Sequence, residues 1–331
     1  MPPRSTDANQ APAPIPALPH HGGGGLALSL AEAREIIDRA VAKTRELSIA
    51  GAFVVMDAGG NVVSIAVMEG SPTSAVLVSR AKAYVSAVMR EPSARRAENW
   101  HRNHVGFLAY RRLLRDDIFA GPGAMPIQKG GRVVGSLSTG GGLGPYTEIP
   151  GVDPSLLMAG DIAANAEDLI ISLALQAPYH NQHSNVEKLV GRRNLAPADD
   201  LPHTLAVARR LADRAIAAAR EKNVRVGVAV VDELGQLVQM DRMDGAGLTA
   251  PDLAEAVART ALDFQCPTSE VERRFSAEQL AQIRAIAHYK MLTVAGGVPI
   301  LRDSSVVGAV GVTGSGSPQT DEAIARQSIA D

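Results

Sequence analysis

A chain of 331 residues with 46% hydrophobic and 21% charged side chains has the make-up of an ordinary globular protein, long enough for two domains that each bury a core. A formal charge of −2 gives it no general attraction for nucleic acid or anionic lipid, and it lacks the apolar run of roughly 18 residues that a membrane span demands. Its single cysteine, Cys266, excludes an intrachain disulfide and suits the cytoplasm, and an aromatic content of 3% leaves few flat walls for a large planar ligand.

Residues 1–25 are rich in Pro, Ala and Gly and lack the basic-then-apolar layout of a secretory leader. They read as a flexible tail, or one that crosses onto a partner subunit. Residues 26–177 then form a first domain. It opens with a helix whose Leu30, Ala33, Ile37, Ala40, Val41 and Thr44 share one face at spacings of three and four. A hairpin follows, Ala52–Met56 and Val62–Val67, turning at Asp57. Helices are predicted at Ala75–Met89, stopped before Pro92, and at Ala94–Leu114. A second hairpin, Met125–Gln128 with Arg132–Leu137, runs into the glycines from Gly140, and a last helix covers Leu156–Ala177. Residues 178–202 are a linker carrying His180 and His183, and residues 203–331 a second domain.

That second domain repeats the first. Leu30–Gly70 reappears without a gap as Leu205–Gly245, with about 16 of the 41 positions identical. The helix recurs with Leu205, Ala208, Ala212, Ala215, Ile216 and Ala219 inward. The hairpin recurs as Gly227–Val231 and Leu237–Met240, and helices are predicted at Leu253–Phe264 and Ala277–Val294. The second hairpin returns as Val298–Leu301 and Val306–Val312, before a helix at Asp321–Ile329. A period this long is a duplicated domain rather than a solenoid, so a pocket between the copies resembles a homodimer interface with its symmetry broken. The order α-β-β-α-α-β-β-α implies an α/β (α+β) fold with mainly antiparallel sheets flanked by helices.

Several residues have the chemistry to build a site. Glycine-rich turns ahead of a helix offer backbone N–H groups to a carboxylate: Ser138, Thr139, Gly140 and Gly141 in one copy, Thr313 and Gly314 in the other. They serve equally as close-packed strand exits that need small residues. Arg242 could hold an acid through two parallel bonds with Asp244 orienting it, or the two could be a surface pair. Glu69 takes the place of Asp244 in the first copy, where Lys82 could supply the cation. Asp57 and Asp232 read as turn formers. His101 and His104, three apart on the predicted helix with Glu98 a turn earlier, could move a proton or bind a metal, although no third ligand stands at a fixed spacing and no metal is expected. His288, placed in a helix, could act as a base or stay packed. Cys266 reads as a buried inert thiol.

The run Val230–Ala246, Lys82, Gly296–Ile300 and Val306–Gly314, followed by Asp321 and Glu322, resembles the GlcG/HbpS family, also called the haem-degrading or PduO-C-terminal-like family. The resemblance covers nearly all of both copies. It implies a tandem pair of profilin-like domains forming a pseudo-dimer, assembly into homo-oligomers, and a small-molecule or haem-related role. The copies are unequal: Val257 stands opposite Lys82, Val67 opposite Arg242, and Gly311 opposite Ser138. This inequality favours an enzyme acting on a small anionic carboxylate by hydrolysis, water addition or tautomerisation without an organic cofactor. In that reading Lys82 and Arg242 converge between the copies. The alternatives are a haem-binding protein, with His288, His101 or Cys266 as axial ligand, and a non-catalytic sensor or scaffold.

Overall fold

A computed structural model describes residues 27–46, 49–114, 118–119, 121–141, 167, 170–176 and 201–330. The first half contains α1 (Leu30–Glu46), β1 (Ala52–Asp57), β2 (Val62–Val67), α2 (Ala75–Met89), α3 (Ser93–Arg102), α4 (His104–Leu113), β3 (Ala124–Lys129) and β4 (Arg132–Gly140). The second contains α5 (Leu205–Glu221), β5 (Gly227–Asp232), β6 (Leu237–Arg242), α6 (Ala250–Phe264), α7 (Thr268–Arg274), α8 (Ala277–Ile286), β7 (Gly297–Arg302), β8 (Ser305–Thr313) and α9 (Pro318–Ile329). The predicted hairpins and first helices are present. Of the helix predicted at Leu156–Ala177, the described residues 170–175 are helical; the tail to residue 25 and His180 and His183 lie outside the described residues.

Two predicted helices are broken. The first stops at Arg102 and restarts at His104, because the Asn103 side chain accepts the Gly106 N–H and caps α4. The second is preceded by the short α7, starts in a capping box formed by Ser276 and Gln279, and ends at Ile286 instead of Val294.

The strands form one antiparallel sheet of eight, in the order β3-β4-β1-β2-β6-β5-β8-β7, instead of two separate sheets. The halves join through β2 and β6, where Ile65 pairs with its own repeat counterpart Met240, flanked by Ser64 with Asp241 and Ala66 with Gln239. Pairing of counterparts is the signature of an isologous contact. On one face α2 and α6 cover a core common to both halves, built from Val54, Ile65, Ala83, Val231, Met240 and Ala258 among others. On the other face each half has its own core under α1 or α5, and each borrows the leucine that starts the other's helix: Leu205 enters the first core, Leu30 the second. Strands covered on both faces lose the apolar–polar alternation, as β1 and β5 show.

Candidate functional site

Three of the candidate side chains, Glu69, Arg242 and Asp244, lie at the junction of the halves. Asp244 accepts the Leu30 N–H at 2.8 Å, and Glu69 accepts the Leu205 N–H at 2.8 Å. Each carboxylate thus caps the helix of the opposite half, where the helix dipole and the unpaired amides favour a negative charge. Arg242 donates to Asp57 at 2.7 Å, with its Nη1 buried and without a partner among the described residues. Asp57 also ties its own turn by accepting the Gly59 and Asn61 N–H groups.

By the same symmetry Val67 stands where Asp232 would want an arginine. Asp232 accepts from Leu234 and Gln236, with His203 nearby, and burial pushes its pKa up. A raised folded pKa means that the unfolded chain loses this proton first, so stability falls as pH rises through the window above the ordinary aspartate range. Asp232→Asn is therefore expected to stabilise the protein at pH 7 and to be neutral below that window. Urea midpoints measured at both pH values check it, and an equal effect at both would contradict it.

The glycine turns differ between the halves. In the second, Gly314 and Ser315 donate their N–H groups to Asp321, and Thr313 Oγ1 donates to the Ala250 carbonyl. An internal carboxylate already holds the amides that a ligand acid would want. In the first half the residue at Asp321's place is Glu167: the Cβ position of Gly123 faces Glu167 as that of its counterpart Gly296 faces Asp321. Glu167 instead accepts from Lys82 Nζ at 2.7 Å, and Lys82 is only 2% exposed. Ser138 and Thr139 are buried on β4, and the Ser138 hydroxyl has no partner among the described residues. Gly140 ends β4 beside α2, where a Cβ would sit 2.7 Å from Ser79 Oγ, and Gly141 follows in a left-handed conformation; the next glycine lies outside the described residues. Lys82 and Arg242 do not converge, since each is paired to a carboxylate of its own.

The histidines stand apart from these groups. His101 ends α3, His104 begins α4, and His288 lies in a bend beyond α8 instead of inside a helix; all three are exposed. Among the described residues no group of three or more His, Cys, Asp or Glu could hold a metal. Cys266 is buried with Val271 and Leu280, and burial raises its thiol pKa. A surface groove of about 710 Å³ runs along β3, between Leu28, Met125, Ile127, Arg90 and Lys129, and none of the candidate residues lines it. No helix among the described residues is long and apolar enough to cross a membrane.

The sequence reading missed two groups. Glu167 is one. The other is Asp241, which Arg34 grips through Nε at 3.1 Å and Nη2 at 2.8 Å, while Ser64 and Gln239 donate to it at 2.8 and 2.7 Å.

Two repeats of one α/β unit, joined edge to edge with helices capped reciprocally across the seam, define a tandem pseudo-dimer. The chain belongs to the family described as haem degrading protein HbpS-like, whose model matches residues 28–146 and 204–330, one segment per half. An uncharacterized 15.0 kDa protein from the dhaT–dhaS intergenic region of Citrobacter freundii is 32% identical over 127 residues, 38% of this chain and 89% of its own. The crystal structure of a double mutant of Streptomyces reticuli HbpS is 34% identical, with 42% of this chain and 92% of that chain covered and a TM-score of 0.36. The structure of a PduOC:heme complex is 28% identical, covering 37% and 88%, with a TM-score of 0.34.

Proposed function

We propose that this protein binds haem, carried on the outer face of the α3–α4 pair in the first half. Membership of both halves in the HbpS-like family carries this reading. The first half also has residues that fit the group. Phe107 and Tyr110 point inward and stack on Trp100, at ring separations of 5.1 and 5.8 Å. The opposite face of α4 therefore points outward, and it places His104 beside Val105 and Leu108, which are 80% and 58% exposed. An exposed imidazole can serve as an axial ligand, bare aliphatic side chains suit a macrocycle, and the exposed Arg111 and Arg112 suit its propionates. When bound, haem would supply iron redox chemistry; the protein's part is to hold and shield it. Cys266 fits this role poorly, because its thiol is buried and kept protonated.

The enzyme reading built on a small carboxylate has less support. Arg242, Asp244 and Glu69 are engaged in joining the halves. Haemin titration followed at the Soret band tests the proposal. A saturable band is expected, weakened at least tenfold in a His101→Ala/His104→Ala double variant and in Leu108→Asp, with His288→Ala unchanged. If no band saturates, or if these variants titrate like the parent, the reading fails.

A further inference from the structure

The two halves act as a control on each other. Lys82 stands in place of Val257 and Ser138 in place of Gly311; Lys82 and Glu167, the counterpart of Asp321, meet beside Gly123, whose neighbour Ala124 pairs with Ser138. The second half builds the same order of helices and strands without the lysine and the serine, so the topology does not require them. Burying a lysine is nonetheless costly, because an ion pair out of water recovers its desolvation only with good geometry and further hydrogen bonds. Here the geometry is good, with a 2.7 Å bond, yet the hydroxyl of Ser138, fully buried and paired across the sheet with the residue after Gly123, has no partner among the described residues. An orphaned buried hydroxyl beside an unneeded buried charge marks a site rather than a packing solution.

We propose that Lys82, Ser138 and Glu167 form a binding site for a small carboxylate, with the Glu167 side chain holding the ligand's place. This site is separate from the haem face and does not depend on it. The ammonium of Lys82 already makes the bond that a free carboxylate would make. Glu167 is the more solvent-exposed partner, at 12% against 2% for Lys82, so displacing it opens Lys82 from outside. The Ser138 hydroxyl is then available to donate to the ligand. Gly123 sets the size: a Cβ there would run into Lys82 Nζ, the Glu167 carboxylate and the Thr139 carbonyl, which restricts the ligand to something near the size of the carboxylate it replaces.

The test uses the full chain with acetate and pyruvate as probes and thermal unfolding as readout. In Glu167→Gln the internal competitor is gone, and either probe is expected to raise Tm saturably with at least tenfold tighter apparent binding than in the parent. In Lys82→Met/Glu167→Gln neither probe should act. A flat response in Glu167→Gln, or an equal response in the double variant, overturns the proposal and leaves the pair structural. Should Glu167→Gln fail to fold, its refolding yield decides: recovery with millimolar acetate supports the site, and no recovery overturns it. Haemin titration of the same variants should match the parent, which separates this site from the haem reading.

Discussion

Asp241→Ala is expected to destabilise the protein by about 3–5 kcal/mol, the usual cost of removing one partner of a buried ion pair. Asp241 is 0% exposed and sits on β6 in the strand pair that joins the halves. Its two oxygens take four donors: Nε and Nη2 of Arg34, the Ser64 hydroxyl and the Gln239 amide. Arg34 itself has its charge held well above its usual pKa, since Asp241 and Asp213 outweigh the burial that opposes it. Without Asp241 the guanidinium keeps only the half-exposed Asp213, and two buried donors lose their acceptor.

The repeat supplies a comparison. Arg209 is the counterpart of Arg34 and pairs with Asp38, but the residue at Asp241's place is Ala66, and Arg209 Nη2 is buried without a partner among the described residues. Asp38 is largely exposed, so Asp38→Ala should cost less than about 1 kcal/mol. Urea denaturation of the two variants checks the difference. The Arg34→Met/Asp241→Ala double variant should recover part of the loss, because it removes both charges together. Comparable losses in Asp241→Ala and Asp38→Ala would show that the seam rests on apolar packing instead of on this carboxylate.

Much of the fold is legible in the sequence because the two copies report on each other. A helical face that recurs as Leu30, Ala33, Ile37 and as Leu205, Ala208, Ala212 is hard to mistake, and the paired turn aspartates fix both hairpins. The joining of the sheets is not legible, because β2 and β6 are covered on both faces and their sequences do not reveal which edge is paired. Asp241 did leave a signal: it is a charged residue within a strand, standing where the other copy has an alanine. Asn103 also left one, since asparagine both ends a helix and caps the next, and missing it placed His101 and His104 on one helix. Lys82 and Ser138 stand out by comparing the copies in register. Glu167 does not, because the separation between counterparts drops from 175 residues at Asp57 and Asp232 to 154 at Glu167 and Asp321.

Gly311→Ser is expected to destabilise by about 3 kcal/mol, while the reverse exchange at the matching position, Ser138→Gly, should cost about 1 kcal/mol or less. The two residues occupy the same register, Gly311 opposite Ala229 and Ser138 opposite Val54. A Cβ on Gly311 would run into the carbonyl group of Ala254 and lie 2.9 Å from the Ala258 nitrogen. These are backbone atoms of α6 and cannot swing away. A Cβ on the neighbouring Gly297 would strike the Val257 carbonyl, so two adjacent strands hold α6 tightly against the sheet. In the first half Ala124 and Ser138 stand at those places, both fully buried, and α2 accommodates their side chains. The closer seat of α6 goes with Val257 in place of the lysine, and the first half alone carries Lys82 with Ser138. Urea midpoints of the two variants test this: similar losses would mean that the helix spacing is not set by Gly311, and the inequality of the halves would then need another cause.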